Sequence, residues 1–221
     1  MSRRLPVYIL IDTSGSMKGE PIESVKVGLA DMVASLRLDP YALETACISI
    51  ITYDKDVKQI LPLTELENLQ LPDIVCPESG PTHMGAALNL LCDSYDREVN
   101  KGSKEQKGDW APLLFVLTDG KPSDFQVYED VAKRIKNYQF TNVVACAAGP
   151  KAKIEPLKKL TDNVFILDTM DSSTFKKFFQ WVTININQGG RTIGAGEQME
   201  LPPPPDVVSL PEPPSEVNVV I

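Results

Sequence analysis

Three stretches of the chain are apolar almost without interruption over the length of a strand: "LPVYILID" (Leu5–Asp12), "TACISIITY" (residues 45–53) and "APLLFVLTDG" (residues 111–120). A strand with one face in water alternates apolar and polar residues. A strand apolar at consecutive positions is covered on both faces. The chain must therefore supply helices for both sides of a sheet, which restricts it to layered α/β architectures and excludes sandwiches with a wet face.

The segments between these runs have the required helical period. Ile22, Val25, Leu29, Val33 and Leu36 fall on one stripe, with Pro21 suited to a first turn. "VKQILPLT" follows the second run closely and predicts a shorter, more polar strand, paired in a hairpin at a sheet edge. Helices are expected at 84–100, around "YEDVAKRIKNY", at "KIEPLKKL" and at "SSTFKKFFQWVTINI"; strands are expected at "NVVACAAG" and "NVFILD". The order βαββαβαβαβα predicts a three-layer open sandwich, a doubly wound, mostly parallel sheet with one antiparallel edge strand. In the closing helix, Phe175, Phe178, Phe179, Val182 and Ile186 form the expected buried stripe. Trp181, off that stripe, is read most simply as part of the same packed aromatic cluster, with a partner contact as the alternative.

Composition narrows the function. A net charge of -8 argues against a nucleic-acid surface. Cys47, Cys76, Cys92 and Cys146 contain no CxxC pair, and with His83 as the single histidine a zinc cluster is not expected. No run reaches membrane-spanning length and the N-terminus lacks a signal-peptide core, so the expectation is a cytoplasmic chain with free thiols.

Asp12, Ser14 and Ser16 follow the first buried strand directly, in "DTSGS". In open α/β sheets, ligands bind beyond the carboxyl ends of the strands. Asp119 ends another strand and Thr82 lies in the loop before a helix, so these five residues converge if the strands are neighbours. All offer hard oxygen donors, which suit Mg²⁺, and Mn²⁺ or Ca²⁺ as well. A helix cap is the expected by-product of the same turn.

The set Asp12-x-Ser14-x-Ser16, Thr82 and Asp119 resembles the metal-ion-dependent adhesion site of von Willebrand factor A domains, over roughly residues 5–187. Pro81 stands where many members have glycine. The resemblance implies direct hydroxyl ligands from Ser14, Ser16 and Thr82, and water-mediated contacts from Asp12 and Asp119. It also implies an open position for an acidic side chain of a partner protein. Pro81, His83 and Lys121 are candidate partner contacts around it. "PVYILIDTSGSMKGEPI" and "LTDGKPSD" are similar to the TerY branch of tellurium-resistance proteins, which implies a scaffold working with a serine/threonine kinase and a PP2C-type phosphatase.

Other chemistry fits less well. His83 with Asp12 and a serine would make a hydrolase triad, but no GxSxG elbow appears. The aspartic-protease likeness of "DTSGS" requires an all-β fold and a second copy. A metal-dependent phosphoester hydrolase is the alternative activity, and a structural domain with a vestigial site is the alternative without one. The expected organisation is a domain at 1–187 and a Gly/Pro-rich extension at 188–221, neither helix nor central strand. That extension is a linker, a polyproline-II ligand for a partner, or a segment whose apolar "VNVVI" end adds to a sheet edge or groove.

Overall fold

β1 (Leu5–Asp12) is buried at all eight positions, as is β2 (Ala46–Tyr53), and the two pair in parallel from Leu5–Ala46 to Asp12–Tyr53. The structure, a computed structural model, describes residues 3–78, 80–103, 107–150, 152–192, 202–204 and 208–209. β3 (Val57–Glu65), β4 (Leu113–Thr118), β5 (Asn142–Ala148), β6 (Val164–Leu167) and β7 (Val208–Ser209) complete a sheet ordered β3-β2-β1-β4-β5-β6-β7. β1, β2, β4, β5 and β6 are parallel, and β3 is the expected antiparallel edge strand.

β3 differs from expectation in length. It has nine residues against eight in β2, and bulges shift its register near Ile50. Pro62 is tolerated there because an edge strand need not donate every N–H outward.

Each sheet face has its own helical layer. α1 (Glu20–Arg37), α2 (Pro40–Thr45) and α6 (Ser172–Thr192) pack over Leu5, Val7, Ile9 and Ile11. α3 (Met84–Glu98), α4 (Phe125–Ile135) and α5 (Ile154–Leu160) pack over Tyr8 and Leu10. Side chains alternate sides along a strand, so each half of β1 feeds a different core. The predicted stripes of α1 and α6 are buried; each such apolar side chain contributes about 1.5–3 kcal/mol. α2 was not visible as a periodic pattern. It is a single capped turn in which Asp39 accepts from the Tyr41 and Ala42 N–H groups and Pro40 opens the helix.

Two expectations are corrected. Trp181 packs with the aromatic cluster, and the alternative of a partner contact is the reading set aside: its ring lies on Phe165 at 4.8 Å between centroids and its Nε1–H donates to the Pro202 carbonyl. A second hydrophobic contact surface for α6, supplied by β6 and residue 202, is invisible in the helix's own period. α6 also runs through Gly189 and Gly190 to Thr192, because glycine costs a helix about 1 kcal/mol and does not forbid it. The extension, in which no central strand is expected, contributes β7 at an edge: it pairs antiparallel with β6 on the side of the sheet opposite β3. The "VNVVI" end lies outside the described residues.

The chain leaves β1 for β2 on one side and reaches β4 on the other. The β1–β4 boundary is therefore the switch point, where the loops after the two strands diverge and open a crevice.

Candidate metal centre

Three loops meet at the carboxyl ends of β1 and β4. The first begins at Asp12. Thr13 N–H donates to the Tyr53 carbonyl at 2.9 Å and its hydroxyl donates to Asp54 Oδ2 at 2.8 Å, so the chain is pinned as it leaves the sheet. It then enters a 3-10 turn, Gly15–Met17, anchored by the fully buried Met17. The turn sets the hydroxyls of Ser14 and Ser16 3.3 Å apart, Ser14 buried and Ser16 exposed. Asp12 does not cap α1. Its Oδ1 accepts from Ser14 N–H at 2.8 Å, while α1 starts after Gly19, whose φ of 89° suits a residue without a Cβ.

The second loop brings in Thr82, and the third carries Asp119. Thr82 N–H donates to Ser123 Oγ at 3.0 Å and Ser123 N–H donates back to the Thr82 carbonyl at 2.8 Å, a reciprocal clamp between the two loops. Asp124 reinforces it. This residue precedes α4, yet its carboxylate accepts from Gly85 and Ala86 N–H at the start of α3, satisfying donors that the helix leaves open. Gly85 is required there: a Cβ would lie 2.5 Å from the Tyr128 backbone nitrogen. A Cβ on Gly120 would sit 3.7 Å from Thr82 Oγ1, which measures how closely the loops approach.

Asp12 is fully buried. Burial pushes its carboxyl up to about 6, and the Asp119 charge adds to this, while hydrogen bonds from Ser14 and Thr118 oppose it. Asp119 is 3% exposed, and its Oδ1 is buried without a hydrogen-bond partner. An orphaned carboxylate oxygen near a second buried carboxyl is costly in the apo protein. A hard cation removes that cost, so the donor set fits one. Among the described residues no three His, Cys, Asp or Glu side chains form a metal cluster; the centre here combines two carboxylates with hydroxyls.

The structure places Asp12, Ser14, Ser16, Thr82 and Asp119 at this one edge. Around it, Pro81 and His83 are half-buried, Lys121 is exposed, and His83 Nδ1 lies 3.0 Å from the Lys55 carbonyl. Sequence reasoning missed Asp54, Thr118, Ser123 and Asp124. Only "SD" before α4 carried a signal, and it reads as a cap for α4 when Asp124 in fact serves α3.

The chain belongs to the von Willebrand factor type A domain family, whose family model matches residues 7–181. Among curated proteins it is similar to matrilin-1 of Bos taurus, 28% identical over 127 residues, covering 56% of this chain and 23% of that one. Matrilin-3 of Gallus gallus is 27% identical over 177 residues, covering 76% and 37%. The chain thus spans well under half the length of these relatives. Among solved structures, proximal thread matrix protein 1 from the mussel byssus, with a zinc-occupied MIDAS motif, superposes with a TM-score of 0.63 at 17% identity, covering 84% of this chain and 48% of that one. The pilus adhesin SpaC from Lactobacillus rhamnosus GG in its open conformation gives 0.66 at 12%, covering 83% and 30%. No helix of the described residues is long and apolar enough to cross a membrane.

Proposed function

We propose that this chain is a divalent-cation-dependent protein-recognition module and acts by binding, not by catalysis. The observation that carries the proposal is Asp119 Oδ1, buried and unpartnered beside a buried Asp12, at an edge lined by the Ser14, Ser16 and Thr82 hydroxyls. Ser14, Ser16 and Thr82 would hold the ion through hydroxyl oxygens and Asp12 and Asp119 through their carboxylates. When bound, the cation supplies positive charge that these groups neutralise only in part, so an acidic side chain of a partner completes its surroundings. The chain's own residues do the rest. Asp54 and the Thr82–Ser123 clamp fix the loops in advance, which lowers the ordering cost of partner binding. Pro81, His83 and Lys121 form the rim a partner would meet.

Family membership and the zinc-occupied MIDAS motif of the mussel protein support a metal-binding role. Oxygen donors favour Mg²⁺, Mn²⁺ or Ca²⁺ over zinc. We further propose the tellurium-resistance branch as its setting, with a serine/threonine kinase and a PP2C-type phosphatase as partners in the cytoplasm; the likeness of "PVYILIDTSGSMKGEPI" supports this, as do four free cysteines. In this setting the recognition domain is the unit expected at 1–187, carried on by the last turn of α6 to Thr192, with the remainder up to 221 as its extension.

Calorimetric titration of Mg²⁺ and Mn²⁺ into the chain and into Asp12→Ala tests the site. An ion affinity unchanged by the substitution overturns it. Affinity capture in Mg²⁺, in EDTA and with Asp12→Ala then tests the partner reading, which requires a protein retained only in the first condition.

A further inference from the structure

The part of the chain beyond α6 that the structure describes occupies a definite place. The Trp181 indole N–H donates to the Pro202 carbonyl at 3.0 Å, and Val208 and Ser209 pair antiparallel with Leu167 and Ile166. Trp181 is itself fixed, edge-on to Phe165 and stacked on Phe178 at 6.2 Å. Without β7, β6 is an edge strand with open N–H and C=O groups beside that indole. Two recognition devices thus stand side by side: an aromatic donor to a proline carbonyl, and a strand edge that accepts an added strand. Separately, these are how proline-rich and extended peptides are bound in general.

We infer that the β6 edge with Trp181 is a receptor groove for an extended proline-rich peptide segment ending in a short β-branched strand, and that the segment carrying residues 202–204 and 208–209 occupies it in cis as a built-in competitor. The occupant observed defines the partner's chemistry. It is preformed by proline at 202–204, so little entropy is lost on docking, and it then offers backbone groups in register with Ile166 and Leu167. Among the described residues, a two-residue ladder and a single indole bond hold it, contacts weak enough to be displaced. The groove is separate from the candidate metal centre and does not depend on a cation.

The test uses the full chain and a fluorescent peptide of residues 199–212, read by anisotropy. Val208→Pro with Ser209→Pro releases the cis segment by removing its ladder donors. The released chain should bind the peptide at least about tenfold more tightly than wild type, where the tethered segment competes at an effective concentration on the order of millimolar. Adding Trp181→Phe should weaken that binding about fivefold or more, the loss of one buried hydrogen bond. Should Trp181→Phe fail to fold by circular dichroism, the same two prolines placed in the peptide leave the protein untouched and must abolish binding. No binding to the released chain, equal binding to released and wild-type chains, or equal binding of the two peptides overturns the proposal. So does a wild-type dimer in sedimentation that disappears on release of the segment, which would mean exchange between copies.

Discussion

Thr118 and Asp12, 106 residues apart in the chain, are joined by a 2.7 Å hydrogen bond from the Thr118 hydroxyl to Asp12 Oδ2 across the ends of β4 and β1. With Ser14 N–H on Oδ1, both oxygens of this buried carboxyl are held. The bond orients one proposed ligand from a residue that is not itself a ligand. Thr118→Val keeps the shape and removes the donor. It should cost about 1–3 kcal/mol in urea unfolding with EDTA present. Unchanged stability would show that the bond does not hold Asp12.

Asp119 presents the opposite case. Its Oδ1 has no partner and its charge faces that of Asp12. Asp119→Asn should therefore stabilise the cation-free chain by about 1 kcal/mol while abolishing the stabilisation that Mg²⁺ brings. Thermal melts with EDTA and with excess Mg²⁺ separate the two effects. A variant less stable in EDTA contradicts the account of this carboxylate.

Gly85 sits where α3 passes the Tyr128 backbone, with Asp124 Oδ2 2.9 Å from the position of a Cβ. Gly85→Ala should cost about 1–3 kcal/mol by overpacking. It should also weaken Mg²⁺ binding, because Asp124 and Ser123 hold the Thr82 loop together. Calorimetry on the folded variant checks the second effect.

Asp171 leads into α6, accepting from Thr169 Oγ1, Ser173 Oγ and the Ser173 and Thr174 N–H groups. These bonds, that from Thr169 first, hold its carboxyl well below the usual carboxylate range. A pKa depressed in the folded state stabilises above the unfolded value of about 4 and loses that contribution as pH falls below it. The melting temperatures of wild type and Asp171→Ala should therefore differ most near pH 6 and converge on acidification below about pH 4. A gap that does not narrow rules out the carboxylate as its source.

The buried strands were legible from sequence because a parallel strand covered on both sides needs no partner to reveal itself. Its apolar run is local, and so are the stripes of α1 and α6. Asp12, Ser14 and Ser16 were legible for the same reason, lying in one turn after such a run. Thr82 and Asp119 could be named only by where their strand and helix begin and end. What holds them came from folding alone. Ser123 finds Thr82 across 41 residues, and Asp54 finds Thr13 across another 41, through hydrogen bonds that leave no periodic trace. Trp181 and the proline segment show the same limit: the period of α6 reports the face turned to the sheet, and only the tertiary structure decides that a second face is covered by β6 and residue 202. Periodicity records which side of an element avoids water. Which distant side chain supplies a given hydrogen bond depends on loop paths in three dimensions, and no local spacing encodes them.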